Sequence, residues 1–123
     1  MPPDERLYHL ALRDEWGAAT RDGALYLRST IHRSLDEVGY IHCSFPHQVQ
    51  PVADMAYKGR DDVVLLVIDR SRIGSEVRVE ALTGDQEFPH IYGPLPVSAV
   101  LDVRPVPKGS DGRLDAAAVL FDA

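Results

Sequence analysis

Three histidines stand where a chain this size could do chemistry. His9 and His42 each fall in the middle of a short alternating segment, and His90 lies in the Pro-flanked run Phe88-Pro89-His90-Ile91-Tyr92-Gly93-Pro94. Imidazole donates, accepts and titrates near neutral pH, so several histidines converging on one cleft would make a competent polar site. Each alone has a plainer reading, a core histidine hydrogen-bonded to a neighbouring carbonyl. His32 and His47 sit in polar segments and read as solvated surface. Glu80 points to the same side of its segment as Arg78. If that side lines the cleft, Glu80 is the carboxylate best placed for acid, base or cation-stabilising work; if not, it is one more solvated charge. Ser44 continues the His42 face and either meets a ligand oxygen or caps the turn before Pro46. Cys43 shares the opposite, apolar face with Ile41, which favours a buried inert thiol over a His-activated nucleophile. Ligand pairs of the C-x-x-C or H-x-x-x-H kind are missing, so no metal centre is expected. G-x-G-x-x-G, Walker A, G-x-S-x-G and H-E-x-x-H are also missing.

Alternation predicts the elements that must hold these residues. Residues 7–12 read as a strand with Tyr8, Leu10 and Leu12 on one face and Leu7, His9 and Ala11 on the other. Asp14 caps a short helix through Thr20 that buries Trp16 and Ala19, with Gly23 as its left-handed stop. An extended piece at 24–27 and a helical turn at 34–38 lead to Gly39. Residues 40–44 form a second strand presenting Tyr40, His42 and Ser44. A turn at Pro46 precedes a helix over 51–58 that Gly59 terminates. The run 63–68 is a strand buried on both faces, and half-exposed strands follow at 77–81 and 99–106. The Gly- and Pro-rich stretch 84–96 reads as a structured loop. Helices early and strands late give an α+β fold.

Length and charge bound the function. The 123 residues hold one domain, taken as 1–107, with 108–123 an appended tail that either docks through Ala116, Val119, Leu120 and Phe121 or hangs loose. The net charge of −6 disfavours nucleic acid, because phosphate neutralisation needs a basic face. Apolar runs of six residues cannot span a membrane, and one cysteine with no signal-type amino terminus points to the cytoplasm. A monomer or small homo-oligomer with a small-molecule or nucleotide ligand is the expectation.

The segments Leu7-Tyr8-His9-Leu10-Ala11, Gly39-Tyr40-Ile41-His42-Cys43-Ser44, Asp61-Asp62-Val63-Val64-Leu65-Leu66 and Phe88-Pro89-His90-Ile91-Tyr92-Gly93-Pro94-Leu95-Pro96 together resemble a family. It is the bacterial domain-of-unknown-function family 952, whose pattern reads Y-H-L-A, G-F-I-H-C-S and F-P-H-I-Y-G-P-L. Tyr40 replaces its usual Phe. The resemblance implies an ADP-ribosylation-like fold of two packed antiparallel sheets with flanking helices, distantly like the RNA 2′-phosphotransferases. It further implies that His9, His42 and Ser44 take the places of cofactor-holding residues and Glu80 that of a late-strand carboxylate; a transferase of this kind would take NAD as its cofactor, bind it through His9, His42, Ser44 and Tyr92, and use Glu80 and His90 as catalytic residues. Leu10-Ala11 stand where the phosphotransferases carry Gly-Thr, and the acidic charge counts against RNA. Three readings follow: a transferase, a non-catalytic ligand-binding module, and a structural or interaction domain. Convergence of His9, His42 and His90 on one cleft is the most informative observation, since a shared site for the first two readings requires it.

Overall fold

A computed structural model of the chain describes residues 6–22, 25–81 and 84–120. Its elements in chain order begin β1 (Arg6–Leu12), α1 (Arg13–Asp22), β2 (Leu25–Tyr26), β3 (Arg28–Thr30), β4 (Arg33–Ser34), α2 (Leu35–Val38) and β5 (Ile41–His42). They continue with α3 (Val49–Ala56), β6 (Val63–Asp69), β7 (Glu76–Glu80), β8 (Phe88–Tyr92), β9 (Leu95–Pro96) and β10 (Val100–Pro105), joined by short 3-10 turns. The architecture is mixed, with antiparallel sheets and few helices.

The apolar run of β6 makes it the spine. It pairs antiparallel with β1 on one edge and β10 on the other, and all seven of its residues are buried. A strand without polar alternation must be covered on both faces. Val63, Leu65 and Val67 join Tyr8, Leu10 and Leu12 against Val49, Val52, Ala53 and Tyr57 around α3. Val64, Leu66 and Ile68 join Leu7 and Ala11 against Ile41, Cys43 and Ile91 of the second sheet. That sheet runs β5-β8-β7, all antiparallel, and the chain after β5 stitches it to the first. Ser44 N–H donates to the Tyr8 carbonyl at 2.7 Å, and Tyr8 N–H returns a bond to Ser44 at 3.0 Å.

The stretch 84–96, expected as a loop, carries β8, the middle strand of the second sheet. Pro89 disguises the strand, because proline rarely occupies a central strand. Backbone N–H and C=O of one residue leave an antiparallel strand on the same side. The Pro89 carbonyl accepts from Cys43 N–H at 3.0 Å, so its missing N–H also lies on that side, where the chain leaves β5 for β1, and the ladder to β7 does not need it. Gly93 follows β8 at a point with no room for a side chain: a Cβ there would lie 2.8 Å from the Cβ of Ser75.

Other boundaries moved less. A 3-10 turn at Pro46–Gln48 precedes α3, which starts at Val49, two residues earlier than expected, and ends at Ala56. Pro51 then falls in the first turn, where its missing N–H has no intrahelical acceptor to satisfy. Strand β5 is only Ile41–His42, shorter than 40–44, because its continuation is a bridge to β1. The hairpin of β3 and β4, turning at His32 with φ 62°, was not anticipated. Ser34 caps α2 in a reciprocal box with Glu37, and Gly39 closes it at φ 97°. Gly23 and Ala24 lie outside the described residues. The core continues past Val106 into Leu114, Ala116 and Leu120, with Val119 packed against it; Phe121 lies outside the described residues. Among the described residues no helix is long and apolar enough to cross a membrane.

Candidate functional site

His9 sits on the β1 face that looks toward the second sheet, and it is 3 % exposed. Its Nδ1 lies 2.6 Å from the His42 carbonyl and its Nε2 lies 2.8 Å from the Tyr26 hydroxyl. A carbonyl only accepts, so Nδ1–H donates to it, and the neutral ring accepts the Tyr26 O–H at Nε2. Burial holds the ring's pKa down at about 4 against the opposing pull of the His42 carbonyl, and burial likewise pushes the Tyr26 phenol up. Both nitrogens of His9 are therefore used inside the protein, binding β1 to β5 and β2.

The other two histidines meet on the outer face of the second sheet. Register places His42 opposite His90 and His90 opposite Arg78, while Ile41, Ile91 and Val77 point the other way. The His42 and His90 ring centres are 5.4 Å apart. Tyr40 stacks on His90 at 4.0 Å with planes 18° apart, Phe88 lies 4.8 Å from His42, and Tyr92 lies 5.4 Å from Tyr40. His90 is fully buried under this cover. Its Nδ1 donates to Glu80 Oε1 at 2.9 Å, and the Tyr92 hydroxyl donates to the same oxygen. Its Nε2 is buried without a hydrogen-bond partner. Arg78 lies over the Tyr92 ring at 4.4 Å and pairs with Glu76 at 2.9 Å.

The electrostatics follow from these contacts. The Tyr92 hydroxyl first and His90 second hold the Glu80 carboxyl below the usual carboxylate range, and Glu80 in turn pushes the Tyr92 phenol up. Burial and the neighbouring His90 lower His42 to about 4. An ionised Glu80 fixes the His90 tautomer, so in the neutral ring Nε2 carries the lone pair. A carboxylate–imidazole pair of this kind can take a proton, accept a hydrogen bond or ligate a metal.

The sequence-predicted residues thus divide. His42, Glu80, His90 and Tyr92 come together on one sheet face. His9 reaches that group only through the main-chain carbonyl of His42. Ser44 is 5 % exposed and its backbone is committed to β1. Burial pushes the Cys43 thiol up, as an inert core cysteine requires. Tyr40 and Phe88 belong to the cluster and were not singled out, although the alternation that selected His42 also selects Tyr40. Tyr26, the partner of His9, has no local signal because the two meet across 17 positions of sequence. A separate cavity of about 360 Å³ lies between α3 and the carboxyl-terminal segment, lined by Gln50, Arg113, Leu114 and neighbours, and contains none of the histidines.

A family model described as "Protein of unknown function (DUF952)" matches residues 10–103. The crystal structure of protein CC0527 from Caulobacter crescentus is similar at 30% identity, with a TM-score of 0.82, covering 94% of this chain and 97% of that one. The solution NMR structure of CC0527 aligns at 29% identity with a TM-score of 0.73, covering 89% of this chain and 90% of that one. No curated protein matches. With a family model spanning most of the chain and a solved relative matching it nearly end to end, the chain belongs to the DUF952 family.

Proposed function

We propose that the outer face of the β5-β8-β7 sheet binds a small nucleotide-type ligand, NAD or ADP-ribose, in a fold related to the ADP-ribosyltransferases. The carrying observation is the Glu80–His90 pair, whose Nε2 is buried without a partner beneath a layer of aromatic rings. A buried polar atom left unpaired costs stability, and recognition of a ligand is one reason to keep it. Tyr40, Tyr92, Phe88 and His42 offer ring faces to a planar base. Glu80, ionised and 30 % exposed, offers negative charge where positive charge builds on a ribose. In this reading His9 and Ser44 are positioning residues that fix β5 against β1.

The reaction would be transfer at ribose C1′. The bond from C1′ to the nicotinamide nitrogen breaks and its electron pair leaves with nicotinamide. Glu80 stabilises the cation that forms, an acceptor oxygen bonds to C1′, and the acceptor's proton passes to His90 Nε2. The single unpaired Cys43 fits a cytoplasmic setting. A second reading, binding without turnover, is favoured by the complete burial of His90 under Tyr40.

Calorimetric titration with NAD and with ADP-ribose tests the proposal. Saturable heat is expected from at least one of them. Glu80→Gln, which keeps a hydrogen-bond acceptor and loses the charge, is expected to lower nicotinamide release about 100- to 1000-fold with little change in binding. Binding without nicotinamide release selects the second reading. No heat from either ligand at millimolar concentration overturns both.

A further inference from the structure

Two imidazoles lie side by side on the second sheet with nitrogens that the protein leaves unused. His42 and His90 are direct partners across an antiparallel pair, where opposed Cβ atoms come within roughly 4.5–5.5 Å. His90 Nε2 is buried and unpartnered, and among the described residues the His42 ring makes ring contacts with Phe88 and His90 and no hydrogen bond. Behind His90, Glu80 accepts from Nδ1 at 2.9 Å. A carboxylate on the far nitrogen orients a histidine ligand and raises its basicity in metal sites.

We propose that His42 and His90 together bind a divalent transition-metal ion, with Zn²⁺ or Cu²⁺ as the fitting class, through one nitrogen each and with Glu80 as the supporting carboxylate. Geometry allows it. With metal–nitrogen bonds of about 2.0–2.1 Å, two imidazoles on one metal have ring centres about 5.1 Å apart at a tetrahedral angle and about 6.3 Å apart when linear. The observed separation of 5.4 Å falls within that range. Two neutral nitrogen donors suit Zn²⁺ and Cu²⁺ and do not suit Mg²⁺ or Ca²⁺, which take oxygen. Among the described residues no group of three or more His, Cys, Asp or Glu could hold a metal. Solvent or a bound ligand therefore completes the coordination. The inference uses the His90 lone pair that the proposed transfer would use, but it does not rest on that reading. A metal bound there blocks the proton-accepting role.

The experiment is a titration of the intact chain with Zn²⁺, followed by calorimetry and by long-range proton–nitrogen NMR of the imidazoles. One equivalent is expected to bind and to move His90 Nε2 and one nitrogen of His42. His42→Ala, at a half-buried position, is expected to fold and to bind Zn²⁺ at least about 10-fold more weakly, and Glu80→Gln about 10- to 100-fold more weakly. Mg²⁺ is expected to give no response, and the double variant His32→Ala/His47→Ala to bind Zn²⁺ as the wild type does. The inference is overturned if no one-site binding occurs up to about 1 mM Zn²⁺, or if His42→Ala binds as tightly as the wild type. Nucleotide titration in metal-free buffer gives its answer independently of either outcome.

Discussion

His9→Ala is expected to lower the stability of the protein by about 3–5 kcal/mol, measured by urea unfolding at pH 7.5. The side chain is 3 % exposed and satisfies two buried groups, the His42 carbonyl and the Tyr26 hydroxyl. Each group left unpaired costs about 1–3 kcal/mol, and the vacated volume adds a cavity term. Against a total of about 5–15 kcal/mol for a domain, this is a large fraction. Tyr26→Phe removes one of the two bonds and is expected to cost less. The double variant is expected to cost less than the two single losses summed, since the pair is lost once. A loss below about 1 kcal/mol for His9→Ala would contradict the buried, doubly bonded placement.

The same residue sets a pH dependence. Folded His9 takes a proton only near pH 4, whereas the unfolded residue takes one near the ordinary histidine value of 6.5. Between those values the unfolded chain holds more protons, so stability rises with pH through the window and is lost as pH falls through it. Integrated over the window, the contribution is about 3 kcal/mol. His42, lowered to about 4 by burial, adds in the same direction. Glu80 acts lower down: its carboxyl is held below the usual range, so its stabilisation is present above that range and lost only as pH falls beneath it. Unfolding midpoints from pH 7.5 to pH 4 are expected to fall steeply for the wild type and less steeply for His9→Ala. Parallel slopes would contradict the assignment.

Truncation after Pro107 is expected to leave a chain that does not fold at 25 °C. The segment buries Leu114 at 1 %, Ala116 at 0 % and Leu120 at 8 % exposure in the same cluster as Leu65 and Val67. Full burial of a leucine contributes about 1.5–3 kcal/mol, so two leucines alone account for much of a small domain's stability. Removal also strips the cover from α3. Gln50 loses its bonds to the Leu114 carbonyl at 2.8 Å and to Ala117 N–H at 2.9 Å, and Arg104 loses the carbonyls of Val119 and Leu120. Circular dichroism of the truncated chain should show no cooperative transition, and Leu114→Ala in the full chain should cost about 2–5 kcal/mol. A truncated protein that melts as the full chain does would show that the segment is dispensable. The family match stops at residue 103, while the alignment to the CC0527 crystal structure covers 94% of the chain.

What could be read from sequence followed periodicity. The unbroken apolar run 63–68 and the alternations at 7–12 and 77–81 gave strands and faces close to those observed, because a covered face demands its pattern whatever the partner is. The pairing of His42 with His90 was not readable, since it depends on β8, and Pro89 disguised that strand as a loop. The partners of His9 were hidden for a related reason: they come from β2 and from a main-chain carbonyl, and neither leaves a mark near residue 9. Alternation did put Glu80 and Arg78 on one face of β7, but only the register with β8 brings the carboxylate to His90. The buried residues in 108–120 are spaced irregularly among Gly, Ser and Asp, so their apolar positions carry no period to detect.

The proposed ligand site occupies the outer face of the β5-β8-β7 sheet and is built on the Glu80–His90 pair. Two-dimensional NMR of the full chain titrated with ADP-ribose tests it most directly. Saturable shifts are expected at Tyr40, His42, His90 and Tyr92, with the His90 Nε2 resonance moving and the His9 ring, committed to Tyr26 and His42, moving little. Shifts confined to other surfaces, or none at millimolar ligand, would contradict it.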